Sequence, residues 1–174
     1  MHRQTLGSAV LLFVAVGASG SPEPTIRFRD LVAQSSAVVL ADVVESATAD
    51  TKRTVRATTV EVLSGVAPRK LTIIWRDKGV LQPDVSGRYV LFVKATSDGT
   101  FAPAAAMWSF WKVLPEAGAS VGCRIAVDYT FVIDHIRGLE KAKIDVIEPN
   151  GSKPAGAVTI ICVDRLRKLL ALRF

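Results

Sequence analysis

Apolar positions fall into one unbroken run near the start of the chain and then into a series of short blocks separated by turn residues. The clearest block is Gly87 to Ala95 (Gly-Arg-Tyr-Val-Leu-Phe-Val-Lys-Ala). From Arg88 to Lys94 every side chain is aromatic, branched aliphatic or a long base, which predicts a strand, and the continuous apolar centre predicts burial on both faces. Pro83 to Gly87 before it and Ser97-Asp98-Gly99 after it are turn chemistry. Ala37 to Glu45 predicts a first strand, with Val38, Leu40 and Asp42 on one side and Val39, Ala41 and Val43 on the other; Ser46 to Lys52 reads as a polar loop. In Arg53 to Leu63 the alternation changes phase, Val55 and Ala57 on one parity and Val60 and Val62 on the other. A one-residue bulge near Thr58-Thr59 would return all four to one face and bend the strand. Ser64-Gly65 turns the chain into a further strand, Lys70 to Arg76, closed by Asp77-Lys78-Gly79. Thr100 to Ala106, rich in alanine and holding Pro103, reads as a loop, and Met107 to Leu114 as a fifth strand of aromatic character. Five strands at this spacing predict a closed barrel or sandwich rather than βαβ units.

Helical spacing is confined to the flanks. Thr25 is a fair cap for a short helix over Ile26 to Gln34, with Phe28, Leu31 and Val32 on its apolar side. In the last third, Cys123 to Asp128 predicts a short strand and Thr130 to Lys141 a helix through Phe131, Ile136 and Leu139. Val158 to Val163 predicts a strand, and Asp164 caps a terminal helix with Leu166, Leu169 and Leu170 on one stripe. The expectation is a mainly β, single-domain protein: a barrel within residues 28–114, and an α+β extension over 115–174.

The unbroken run lies in residues 1–20, where His2 and Arg3 precede Leu6 to Ala18 and small residues follow. That is the pattern of a secretory signal peptide cleaved after Ala18 or Gly20. A retained membrane anchor is the competing reading, although the run falls short of the roughly 20 apolar residues that span a bilayer. The expected mature protein is therefore residues 21–174, secreted or periplasmic, with no transmembrane segment. Its formal charge falls from +6 by one with the loss of Arg3, a modest excess that suits anionic surfaces without requiring nucleic acid. Cys123 and Cys162, an even count in an exported chain, read as a disulfide; two buried thiols are the alternative.

Three stretches together suggest a family. Ala-Val-Val-Leu-Ala-Asp-Val (37–43), Val-Glu-Val-Leu-Ser-Gly (60–65) and Gly-Arg-Tyr-Val-Leu-Phe-Val (87–93) resemble, in order and spacing, exported bacterial proteins whose OB-fold barrel is similar to netrin-like modules and tissue metalloproteinase inhibitors. The resemblance covers about residues 28–114 and implies a small OB-like five-stranded barrel. It does not carry the inhibitors' mechanism, which uses a cysteine at the mature amino terminus to chelate the target's metal, because this chain has none there.

Motifs for chemistry are sparse. His135 is the one histidine outside the first twenty residues, which excludes a multi-histidine metal site and leaves one candidate base; amid apolar neighbours it reads as structural. No serine lies in Gly-x-Ser-x-Gly. The carboxylates Asp42, Glu61, Asp77, Asp84, Asp134 and Glu140 are dispersed, and Asp134 and Glu140 fall nearly opposite on their predicted helix. Asn150-Gly151-Ser152 matches a glycosylation acceptor but also reads as a turn. No cofactor or metal is implied. The candidate binding residues are Trp75, Trp108, Trp111, Tyr89 and Arg88, either a ligand face or, for most of the aromatics, barrel filling. Trp108 and Trp111 differ in parity, so on a regular strand one of them faces out. The expected function is a non-catalytic binding module for an exported protein or envelope component. The competing readings are a hydrolase with a cleft between barrel and extension, and a structural envelope protein.

Overall fold

A computed structural model describes residues 26–76, 87–114, 123–128, 136–137, 144–147 and 158–172. In chain order the elements are β1 (Ile26–Arg27), α1 (Phe28–Gln34), β2 (Ala37–Ala49), β3 (Lys52–Gly65), β4 (Lys70–Arg76), β5 (Gly87–Ala95) and β6 (Phe101–Pro103). A 3-10 turn (Ala106–Ser109) follows, then β7 (Phe110–Leu114), β8 (Ala126–Asp128), β9 (Ile136–Arg137), β10 (Ile144–Ile147), β11 (Val158–Cys162) and α2 (Val163–Ala171).

Five strands close a barrel in the ring order β2-β3-β4-β6-β5, with β5 returning to β2. Every neighbour is antiparallel except β4 and β6, which run parallel with Ile73 opposite Phe101. This is an OB-like barrel, and the mainly β architecture read from the sequence stands. Its interior follows the two-residue period of its strands. Ala37, Val39, Ala41 and Val43 point in from β2, Val55 and Ala57 from β3, Leu71 and Ile73 from β4, Tyr89, Leu91 and Val93 from β5, and Phe101 from β6. The alanines leave room for Tyr89 and Phe101 in a small barrel.

The opposite parity of β2 and β5 is buried as well. Val38, Leu40, Val90 and Phe92 point out of the barrel into a second apolar layer made by Phe28 and Leu31 of α1, Trp108, Trp111, Val127, Ile161 and the buried side of α2. Phe92 packs on Trp111 at 4.6 Å between ring centroids and edge-on to Phe28 at 6.2 Å. The Trp111 indole N–H donates to the Trp108 carbonyl at 2.8 Å, so its one polar atom is satisfied inside the layer.

Several sequence expectations are corrected. Ser46 to Lys52 is not a loop: β2 and β3 stay paired through Ala49↔Lys52, around a turn at Asp50-Thr51, because a ladder is held by backbone bonds and needs no large apolar side chains. Bulges occur, but at Val44 on β2 and at Val60 and Leu63 on β3, each left without a cross-strand partner by a register shift. The shift at Val60 returns Val62, opposite Val39, to the face of Val55 and Ala57, but not Val60 itself, and Val60 and Val62 stay 48% and 41% exposed. The reason is that β4 pairs with β3 only as far as Thr58 and the Arg69 carbonyl takes the Thr59 N–H, so past Thr59 no further strand covers that edge among the described residues. The stretch read as a loop supplies β6, which closes the ring.

The turn into β6 is held by Asp98. Its Oδ1 accepts from the Thr96 and Thr100 hydroxyls and the Thr100 N–H, and these bonds hold the carboxyl down at about 2. Met107 to Leu114 is a strand only from Phe110; the 3-10 turn before it brings Trp108 and Trp111, three residues apart, to the same layer. Ile26 and Arg27 are not helical but pair in parallel with Ile136 and Arg137, so those two residues of the helix expected over 130–141 are strand. The remainder of that stretch, His135 included, lies outside the described residues. Asp164 is not the cap of the last helix: Cys162 holds that position, and Asp164 sits in the first turn.

Cys123 and Cys162 stand at disulfide distance with their Cα atoms 5.4 Å apart. Closing a loop of this length contributes on the order of 3 to 4 kcal/mol in the chain-entropy model. The pair packs with Ala126 and Ile160 in a small separate cluster.

The layering predicts unequal costs for the tryptophans. Trp111→Ala, which empties the centre of the outer layer, should lower unfolding free energy by about 3–5 kcal/mol in urea titrations. Trp75→Ala, at a half-buried position on the barrel margin, should cost less than half as much.

Candidate functional site

The outer face of the barrel and the extension meet at a groove of about 360 Å³. Its apolar floor is Leu40, Val60, Ile125 and Val163, and its rim carries Glu61, Arg88, Arg124, Asp164 and Arg167. Register puts these groups together. Asp42 of β2 is directly opposite Arg88 of β5, both on the parity that faces away from the barrel interior, and Glu61 of β3 is opposite Leu40. The Arg88 guanidinium grips Asp42 with two parallel bonds, Nε to Oδ1 at 2.8 Å and Nη2 to Oδ2 at 3.0 Å. That hydrogen bonding, more than the bare charge, lowers the Asp42 carboxyl below its ordinary range and raises Arg88.

Across the groove, Arg167 of α2 reaches Glu61 with Nε and Nη2 (3.0 and 2.7 Å to Oε1, 3.0 Å from Nη2 to Oε2) and Asp164, one helical turn earlier, with Nη1. Asp164 and then Glu61 raise the Arg167 pKa. Asp164 also places negative charge in the first turn of α2, where the helix dipole favours it. Arg124 completes the rim. It follows Cys123, and the next residue, Ile125, accepts the first helical N–H, that of Val163, at 2.9 Å. Arg124 is exposed, and no carboxylate pairs with it among the described residues. Both rim carboxylates are engaged by Arg167, so the groove presents cationic hydrogen-bond donors over an apolar floor.

Of the candidate binding residues read from the sequence, only Arg88 belongs to this site. Trp108 (8% exposed), Trp111 (1%) and Tyr89 (2%) are core, and so are not surface contacts. Their ring area covers apolar surface on both sides of β5, which is why large aromatics occur there. Trp75 is half-buried at the barrel margin, against Phe110 at 5.4 Å and beneath the buried Arg53 guanidinium at 5.8 Å. Arg124, Arg167, Glu61 and Val60 were not foreseen as a site. The Asp164–Arg167 spacing was readable as a helical pair, whereas Glu61 and Arg167 lie 106 residues apart and meet only through the fold.

Among the described residues no three His, Cys, Asp or Glu side chains converge as a metal cage would require, and no helix is long and apolar enough to cross a membrane. Comparison with protein-family models, with curated proteins and with solved structures found no match.

Arg88→Ala should return the Asp42 carboxyl toward its ordinary value of 3.8, read by carboxyl carbon shifts during an NMR titration. Both side chains are nearly half exposed, so the loss in stability at neutral pH should stay below about 1 kcal/mol. The native Asp42 pKa is depressed, so the pair's contribution is complete above the unfolded value and disappears as pH falls through the lower folded one. Wild type and variant should converge in stability in acid.

Proposed function

We propose that the chain is an exported, non-catalytic binding module that recognises another exported protein or a cell-envelope component through the groove between barrel and extension. The observation that carries this reading is the pre-set rim. Arg88 and Arg167 are each locked by two or more bonds to carboxylates on neighbouring elements, so little side-chain freedom is lost when a ligand arrives. Val60 adds an exposed apolar contact to the floor. Export is supported by the basic start and apolar run of residues 1–20 and by the paired cysteines, which suit an oxidising compartment. The OB-like ring supports carrying the resemblance to netrin-like modules forward as a likeness of fold, with no inhibitor mechanism attached.

The binding reading is tested by capture from an envelope extract. Wild type and Val44→Lys, altered at an exposed bulge outside the groove lining, should retain the same partner, and Val60→Lys should lose it while keeping the native circular dichroism spectrum. Capture indifferent to Val60→Lys, or no captured partner, would overturn the groove as a docking site.

Export is tested separately by the intact mass of the protein recovered from the periplasm or medium. It should correspond to a chain beginning at Ser19 or Ser21. Recovery with Met1 retained counts against the signal.

A further inference from the structure

We infer that the groove takes a single carboxylate next to an aliphatic group, presented by the carboxy-terminal residue of an extended polypeptide, and that the Cys123–Cys162 bond holds Arg124 in place to receive it. The inference rests on the reading of the groove as a binding site and names its ligand class. It follows from which donors remain unused. The three nitrogens of Arg167 are engaged by Glu61 and Asp164, and Arg88 commits Nε and Nη2 to Asp42, leaving Nη1. Arg124 has no carboxylate partner among the described residues, so an incoming acceptor finds Arg124 first and Nη1 of Arg88 second.

Charge decides between anions. Asp42, Glu61 and Asp164 balance Arg88, Arg167 and Arg124 in sum, but Arg124 is the one of these cations with no carboxylate in contact among the described residues. A single carboxylate meets it at the smallest cost to that balance. A dianion such as phosphate would bring a second negative charge against Glu61 and Asp164, where like charges oppose binding. The floor of Leu40, Val60, Ile125 and Val163 has no charged group and suits an aliphatic side chain, and a volume of about 360 Å³ is at the small end of ligand sites, room for one residue rather than an extended small molecule.

Val60 also belongs to the part of β3 beyond Thr58. The Arg69 carbonyl takes the Thr59 N–H, and from Val60 onward that part pairs, among the described strands, with β2 alone, which leaves its other edge to the backbone of an extended chain. This favours a polypeptide terminus over a free small acid.

Arg124 has no secondary-structure ladder of its own. What fixes it is the cysteine before it, tied to Cys162 at the start of α2, and the Ile125 carbonyl after it, bound to the Val163 N–H. Breaking the covalent tie frees one side of Arg124 while leaving the barrel interior, which contains neither cysteine, untouched.

The test is an NMR titration of the ¹⁵N-labelled, oxidised mature protein with four probes: acetyl-Ala-Ala-Leu with a free carboxylate, the same tripeptide amidated at its end, acetyl-leucine and inorganic phosphate. The free tripeptide should give saturable shifts at the Val60, Arg124, Ile125 and Val163 amides. Loss of a charge-assisted hydrogen bond is worth on the order of tenfold in affinity, so the amidated peptide and Arg124→Gln should each bind about that much more weakly. Acetyl-leucine should bind more weakly than the tripeptide, and phosphate should leave these amides in place. The Cys123→Ser/Cys162→Ser double variant, if folded, should bind like Arg124→Gln; should it fail to fold, the same comparison is made on wild type under mild reduction with the barrel amides as the fold control. Amide and acid binding equally, phosphate competing with the tripeptide, acetyl-leucine matching it, or unchanged affinity in Arg124→Gln would overturn the inference. Undiminished binding by the folded, reduced protein would overturn the role assigned to the disulfide. Partner capture that is lost in Val60→Lys but indifferent to Arg124→Gln would leave the docking surface standing and remove the carboxylate.

Discussion

The pairing of β2 with β5 is the interaction on which the other elements depend. Both strands are buried on both faces, so each supplies one wall of the barrel interior and, with its alternate residues, the base of the outer layer. Burying a large aliphatic side chain stabilises by about 1.5–3 kcal/mol relative to exposure, and here such side chains are buried in two directions from one pair of backbones. The Ser36 hydroxyl and the backbone beside it bond to Val93 and Ala95, which fixes the entry of β2 against β5 before the ladder begins. Gly65, at the far end of the β2–β3 ladder, passes so close to the Ser36 carbonyl that a Cβ there would lie 2.1 Å from its oxygen, and its φ of +75° is one that side chains resist.

Around that pair the two layers divide the labour of the molecule. The barrel interior is made almost wholly of β2 to β6 and has its own aromatic and aliphatic filling. The outer layer brings in α1, the strands after β7 and α2, and so converts one side of a small barrel into an internal surface. The groove lies at the margin of this second layer, where the extension departs from the barrel. That is why its residues come from β2, β3, β5, the turn after Cys123 and the first turns of α2.

The sequence showed the barrel better than it showed the groove, for a physical reason. Strands β4 and β5 declare themselves because their side-chain pattern repeats within seven to nine neighbouring residues, and the disulfide because a pair of cysteines in such a chain has few alternatives. β6 was hidden: three residues with an alanine and Pro103 carry little strand propensity, and what pairs them is the tight Thr96–Thr100 turn and two waiting neighbours. Trp108 and Trp111 misled because parity arguments hold only along a regular strand, and a 3-10 turn intervenes. The groove escaped reading because its ion pairs link residues as far apart as Asp42 with Arg88 and Glu61 with Arg167, and sequence distance carries no information about such meetings.

The covalent tie between Cys123 and Cys162 acts on one part of the molecule and spares the other. The barrel interior is complete without either sulfur, since its packing uses neither cysteine. The rim is a different matter, because the segment bearing Arg124 is fastened to the start of α2 by the bond on one side of Arg124 and by the Ile125 carbonyl on the other. The bond therefore bears on one face of the body and leaves the packing of the scaffold beneath that face as it is.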